Sequence, residues 1–533
     1  MNTKKRILAL LLMAAAIMSI FAGCGKPADS AQDKNTDSVV IAITTEPETL
    51  DPCMGWGHGN MPLLQSTLVK YDYDMSFKND LATGYTLSED GLTWTFTLRD
   101  DAYFTDGEKL TASDVVFTFN TAKNAKASVD LTFMEKIEAP NDTTVVVTLT
   151  KPTSVFLNTV ASLGIVPEHA YGPDYGVDPI GSGPFKFVQW SKQEQLILEA
   201  NENYYGTVPA MKKVTIVFMS EDAALAAVKA GQVDIAQSAA TLADIPVAGY
   251  NVKRISSVDN RGFTLPMSPD EGKTTEGGYP IGNNVTCNIE VRHAIAYALD
   301  REMVANVALS GYATPCYSEN DGMPWNNPEV KIETNVEYAK KLLADAGWAD
   351  TDGDGIVEKD GIKAEFGCVY PSGDSVRQAV AMAAAEQLKE IGISVIVEGT
   401  SWDDISKRMF SESVMMGWGA ANPYESYCLY QSAGAFKDDY YNPEGYMSET
   451  TDAYLAAAME ALTVEEAYRN WQLAQWDGET GTAMKGECPW VWIVNIDHIY
   501  FARDGLDIGA QQLHPHGASL PILQNLQDWK WVN

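Results

Sequence analysis

The chain has 533 residues, 45% hydrophobic and 10% aromatic, enough to bury large cores in two or three domains and too apolar for an acidic disordered polymer. Its formal net charge of −34 repels nucleic-acid phosphates and anionic headgroups, so nucleic acid is excluded as a partner. The seven cysteines contain no Cys-x-x-Cys pair, which excludes a zinc ribbon and a dithiol redox motif; isolated thiols and disulfides both stay open.

Lys4, Lys5 and Arg6 open the chain, and an unbroken run of apolar and small residues follows over 7–21, closing at Gly23 before Cys24. This order predicts a lipoprotein leader over 1–24 with Cys24 as the lipid attachment point. The run is short for a membrane span of about 20 residues. Residues 25–37 are polar and small, as in a flexible tether. No later run is long and apolar enough to span a bilayer, so the mature chain is expected to be soluble but membrane-tethered.

Val39 to Ile43 is a continuous apolar run suited to a strand covered on both faces. In Gly55 to Met61, glycines let the backbone approach a ligand, while Trp56, His58 and Asn60 offer an aromatic face, an imidazole and an amide. Trp94, Phe96 and Leu98 then alternate with Thr93, Thr95 and Thr97, the period of a half-buried strand. Asp106 and Gly107 mark a turn. Thr111 with Asp114 reads as a capping box opening a helix through Val115 to Phe119.

Thr144 to Leu149 is a further strand, and Asp178 to Phe185 a glycine-proline junction lacking the Gly-Lys-Ser/Thr ending of a phosphate loop. Val214 to Phe218 reads as a strand, followed by a helix that Gly231 stops. Arg261 is placed to clamp a carboxylate bidentately or to form an internal salt bridge. Val291, Ile295, Ala298 and Leu299 fall on one face of a helix over 288–304. Helices are also predicted over 337–346 and 376–391, and a strand over 393–397.

Asp350, Asp352 and Asp354 have the spacing of an EF-hand start, but Gly361 stands where the twelfth position needs a bidentate Glu, so little or no calcium binding is expected. A second ligand window runs over 415–427, with Trp418, Asn422, Tyr424 and Glu425. His514 and His516 form a His-x-His that would join His58 in a metal site, imidazoles suiting nickel and zinc. Whether a metal is bound stays open.

The segment from Gly91 to Phe119 closely resembles the signature of the family 5 extracellular solute-binding proteins, the peptide and nickel receptors of ABC importers. That signature reads Asp-Gly-x-Thr-aromatic-Thr-Phe-x-Leu-Arg, then Phe-x-Asp-Gly-x-Pro-Leu-Thr-Ala-x-Asp-Val. Val291 to Arg301 resembles a second hallmark, and Asp178 to Phe185 and Leu196 to Tyr205 two shorter ones. The resemblance implies an α/β fold of the two-lobed periplasmic-binding-protein type (class II), with an extra subdomain on the first lobe. By it, lobe I is placed at 38–72, 187–280 and 491–533, the subdomain at 73–186 and lobe II at 281–490.

It also implies a non-enzymatic receptor without cofactor. Such a receptor is a monomer anchored outside the cytoplasmic membrane, which captures a short peptide, or alternatively a nickel or other metal chelate, and delivers it to transmembrane permease subunits. Many peptide receptors of the family carry Gly-Trp-x-x-Asp-x-Pro, whose Asp pairs with the peptide amino terminus. Here that Asp is Ala421, so amine capture falls to another group such as Glu425, or the ligand is not a conventional peptide. Rivals of other classes are an exported hydrolase, against which stands the absence of Gly-x-Ser-x-Gly and His-Glu-x-x-His motifs, and an adhesive lipoprotein.

Overall fold

The computed structural model describes residues 36–57, 62–125, 129–437, 439–516 and 520–532. The leader with Cys24, most of the tether, and His58 and Asn60 of the first ligand window lie outside the described residues. No helix among the described residues is long and apolar enough to cross a membrane.

Three sheets organise the chain. The first has seven strands, with Ser38–Ile43 parallel to both Lys213–Phe218 and Ile235–Ser238. Ile41, Ala42 and Ile43 are buried, as a central parallel strand covered on both faces requires. The second is a four-stranded antiparallel sheet in which Thr93–Leu98 pairs with Ala82–Leu87 and Thr144–Leu149. Its alternation is the expected one: Trp94, Phe96 and Leu98 are buried and the intervening threonines face outward. The third has six strands, Glu365–Pro371 lying parallel to Ser394–Thr400 and Ser413–Met416. These are the two lobes and the subdomain of the class II binding-protein type.

The local signals that build these layers are visible as contacts. The helix Ala112–Ala125 begins where the Asp114 carboxylate accepts from the Thr111 backbone N–H at 2.9 Å, half of a capping box. The other half differs, because the Thr111 hydroxyl donates to the same carboxylate at 3.1 Å. At the glycine-proline junction, a Cβ on Gly181 would stand 1.8 Å from the Leu64 carbonyl oxygen, so only glycine lets these two segments meet.

The helix expected over 288–304 is broken. Ile289–Ala298 ends with Leu299 in an extended conformation, and Asp300 caps a new turn at Arg301–Met303 by accepting from Met303 N–H. The reason is Arg301, fully buried, whose guanidinium donates to the carbonyls of Ala296, Leu299, Cys316 and Trp492. The second hallmark therefore holds lobe II together.

Two chain crossings join the lobes. Tyr250–Ile255 belongs to the first sheet and Asn260–Thr264 to the third; Trp490–Ile496 belongs to the third and His498–Arg503 to the first. Residues 260–264 and 491–496 were expected within lobe I, but their hydrogen bonds are to lobe II strands, so each crossing falls between neighbouring strands, at 256–259 and at Asp497. All six cysteines in the described residues are free thiols.

Candidate functional site

Two cavities lie near the crossings, one lined by Arg261 of the strand Asn260–Thr264 and one by the loop that packs against that strand. The larger, about 680 Å³, lies between the lobes. Thr44, Thr45, Gln237 and Ser238, where two strands of the first sheet end, form one wall, and Gly373 to Arg377 with Trp402 form the other. Asp259, Arg261, Ile496 and Asp497 of the crossings line it as well. A cleft at the carboxyl ends of parallel strands, with hinge strands beside it, is where open α/β folds place ligands.

The smaller cavity, about 250 Å³, lies between the subdomain and lobe II, with Asp130, Phe133 and Asn158 on one side and Ala421, Tyr424 and Glu425 on the other. Its lobe II side is the segment that follows Gly417 and Trp418. A Cβ on Gly417 would meet the Asn260 carbonyl oxygen at 1.9 Å, so glycine lets the loop lie against the crossing strand. Asn260 fastens it there, accepting from Trp418 N–H at 2.8 Å and donating its own N–H to the Trp418 carbonyl. The Trp418 ring stacks on Tyr441 at 4.5 Å, leaving its indole N–H buried without a partner.

Ala421 lines the smaller cavity with a methyl group where the peptide receptors carry Asp. The nearby acid is Glu425, whose Oε1 accepts the Gly419 and Ala420 N–H groups at 2.9 and 3.0 Å. Burial pushes its pKa up to about 7 against those two hydrogen bonds. Asn422 lines the same cavity, its side chain accepting from Tyr424 N–H. The Tyr424 hydroxyl donates to Asp130 of the subdomain at 3.2 Å. Three of the four expected residues of the second window, Asn422, Tyr424 and Glu425, thus line one cavity with Trp418 stacked beside it, while Trp56 of the first is packed in the lobe I core with its indole N–H unpartnered.

Arg261 lines the larger cleft. Its Nη1 pairs with Asp259 and with the Asn260 carbonyl, so the internal salt bridge forms end-on, and Nε is buried with no hydrogen-bond partner among the described residues. Asp259 also takes His516 Nδ1 at 2.7 Å and His498 Nε2 at 3.3 Å. Burial opposes its ionisation, but Arg261 and the two imidazoles outweigh that and hold the carboxyl well below its ordinary range. His514 is fully buried, its Nδ1 at 3.0 Å from His498 Nδ1, and burial with the neighbouring imidazole pushes its pKa far down. His514 and His516 therefore point to different partners.

Among the described residues, the carboxylates that could share a metal are Asp350, Asp352 and Glu358, and they are largely occupied. Asp350 accepts the Gly353 and Gly355 N–H groups, and the Lys363 ammonium bridges Asp352 and Asp354. A lysine stands where a cation would have to compete. Sequence reasoning missed Asp259, His498 and Arg377 as cleft residues, since nothing local marks which strand ends and helix starts face each other across a hinge.

Residues 76–439 match the family model of the bacterial extracellular solute-binding proteins, family 5 (middle part). The chain is 32% identical over 523 residues to Protein XP55 of Streptomyces lividans, covering 93% of this chain and 91% of that protein. It is 28% identical to the oligopeptide-binding protein AppA of Bacillus subtilis, covering 81% and 83%. The crystal structure of NikZ from Campylobacter jejuni in complex with Ni(L-His) superposes with a TM-score of 0.76 at 25% identity, covering 93% of this chain and 99% of that one. Lobes, hinge crossings and an interlobe cleft define a binding protein of the class II type. The chain belongs to the family 5 extracellular solute-binding proteins, the substrate-binding components of ABC importers of peptides and nickel chelates, which act outside the cytoplasm.

Proposed function

We propose that this protein is a lipid-anchored receptor that closes its two lobes around a short peptide and hands it to the transmembrane permease of an importer. The observation that carries the reading is the cleft of about 680 Å³ with one wall from each lobe and the crossing strands beside it. A small rotation about 256–259 and Asp497 would bury a solute there without disturbing either sheet. Arg261 is the proposed contact inside that cleft. Asn422, Tyr424 and Glu425, which line the smaller cavity, with Trp418 beside it, are proposed to hold the amino end of the peptide. His58 and Asn60 are proposed as further contacts, whereas Trp56 is packed in the lobe I core. Glu425 takes over the amine-pairing role vacated at Ala421, its pKa of about 7 falling toward the ordinary range when an ammonium arrives.

Relatives named for oligopeptides and for glutathione support the peptide. A nickel chelate is the second reading, favoured by His498 and His516 lining the larger cleft and by the nickel-histidine complex held by NikZ. Cys24 supplies the anchor and residues 25–37 the tether, the mature chain acting as a monomer.

Native mass spectrometry of gently purified protein tests the reading. A one-to-one adduct of peptide mass is expected; a nickel-bearing adduct would move the assignment to the chelate. Absence of any adduct, together with no binding after refolding in the presence of peptides or nickel-histidine, would contradict it. Cys24→Ala should release the protein from membranes, and continued membrane association would refute the anchor.

A further inference from the structure

We infer that the subdomain clasps lobe II at a contact apart from the hinge crossings, and that this clasp sets how far the receptor closes before a solute arrives and how slowly it releases one. The inference rests on the two-lobe closure proposed above and names what holds the closed form.

The subdomain shares one apolar core with Cys53, Leu68 and Val69 of lobe I, so these two parts move as one body. Lobe II is the other body, joined to the first by the crossings at 256–259 and Asp497. A contact between subdomain and lobe II that lies off the rotation axis must part when the cleft opens.

Such a contact is built where two turns of the subdomain meet the turn between the lobe II helices Glu449–Glu460 and Val464–Gln475. Ser154 donates its backbone N–H to the Met459 carbonyl at 2.7 Å. A Cβ on Gly91 would stand 2.3 Å from Leu462 Cδ2 and 3.2 Å from Pro152 Cβ, so the Leu462 side chain lies directly on Gly91, beside Pro152. Val155, next along the chain, is only 2% exposed and belongs to the same apolar cluster as Leu455, Met459 and Trp471 of lobe II. Lys151 reaches Glu460 at 3.1 Å. Every one of these contacts is protein to protein and needs no solute.

The clasp is poised rather than locked. Its ion pair is half exposed on both sides and adds little. The Ser154 hydroxyl is buried with no hydrogen-bond partner among the described residues, a cost that water relieves once the clasp parts. Apolar contact and one backbone bond favour closure, and the orphan hydroxyl opposes it. The solute-free receptor is therefore a mixture of open and closed forms, which a solute shifts toward the closed one. Neighbouring residues then act with opposite sign: trimming Leu462 loosens the clasp, and removing the Ser154 hydroxyl tightens it.

The test combines small-angle scattering of solute-stripped protein with stopped-flow release of a probe, trialanine or nickel with L-histidine, whichever calorimetry shows to bind. Leu462→Ser should enlarge the solute-free radius of gyration and speed release about threefold or more, as expected for lost apolar burial. Ser154→Ala should shrink that radius and slow release by about the same factor, since an unpaired buried group is removed. With saturating probe the three proteins should share one radius, because the solute drives each to the closed form.

Identical solute-free radii in the parent and both folded variants would overturn the inference, because the contact would then lie on the rotation axis; binding of the probe would still leave the receptor reading intact. Shifts of the same sign in the two variants would overturn it as well, since a general loosening of the fold moves both one way. If no probe binds, the receptor reading falls, while opposite shifts of the solute-free radii still support the clasp.

Discussion

At the scale of single residues, several buried carboxyl groups in lobe II are held against their ordinary ionisation. Glu444 is the clearest: it is fully buried, Oε1 accepts the Trp490 indole N–H at 2.9 Å, and Oε2 has no partner. Burial pushes its pKa up to about 8. A folded-state value above the unfolded one means that the unfolded chain releases the proton first. Glu444 therefore favours folding at low pH and loses that contribution as pH rises from about 4.5 to about 8. Glu444→Gln keeps an acceptor for Trp490 and removes the titration. Its melting temperature should gain on the parent between pH 5 and pH 8.5, and parallel pH profiles would show that Glu444 ionises freely. The same scale explains what was hidden at Ala421: the missing acid was legible, but that Glu425 turns its carboxylate onto the Gly419 and Ala420 N–H groups depends on how the loop folds back.

At the scale of elements, the signature segment works as a capped strand-turn-helix unit. Asp114 holds Thr111 with one oxygen and accepts the Glu168 N–H at 3.0 Å with the other, so it ties the helix start to a chain segment 54 residues on. Asp114→Ala should lower stability by about 2 kcal/mol, a cap plus a buried bond, read from the denaturant midpoint; a loss under about 0.5 kcal/mol would reduce the motif to decoration. The Asp350 to Gly361 loop makes the opposite point. Its acidic spacing resembles a calcium loop, yet Lys363 occupies Asp352 and Asp354. Millimolar calcium should leave the melting curve unmoved, and a saturable upward shift lost in Asp352→Ala would contradict this. Strands and helices with strong local periods, such as Thr93–Leu98 and Ser375–Lys389, were readable from sequence because burial on one face sets the pattern. The break at Leu299 was not, because it answers to the carbonyls that Arg301 gathers from Cys316 and Trp492, far along the chain.

At the scale of the whole molecule, the charge, the family motifs and the lobed architecture were legible, whereas the placement of the crossings was not. Asn260–Thr264 follows lobe I strands in sequence yet pairs across to Met415, Met416 and the strand Trp490–Ile496. That pairing brings Asp259, Arg261 and Arg377 to one cleft, and no local pattern encodes it. On the receptor reading proposed above, solute binding closes this cleft. Small-angle X-ray scattering of solute-stripped protein, titrated with the peptide or nickel-histidine probe that calorimetry shows to bind, tests it most directly. The expected result is a saturable fall in the radius of gyration, complete at one equivalent and with the solute recovered unchanged. Saturating solute that leaves the scattering curve unaltered, or that is returned chemically converted, would contradict it.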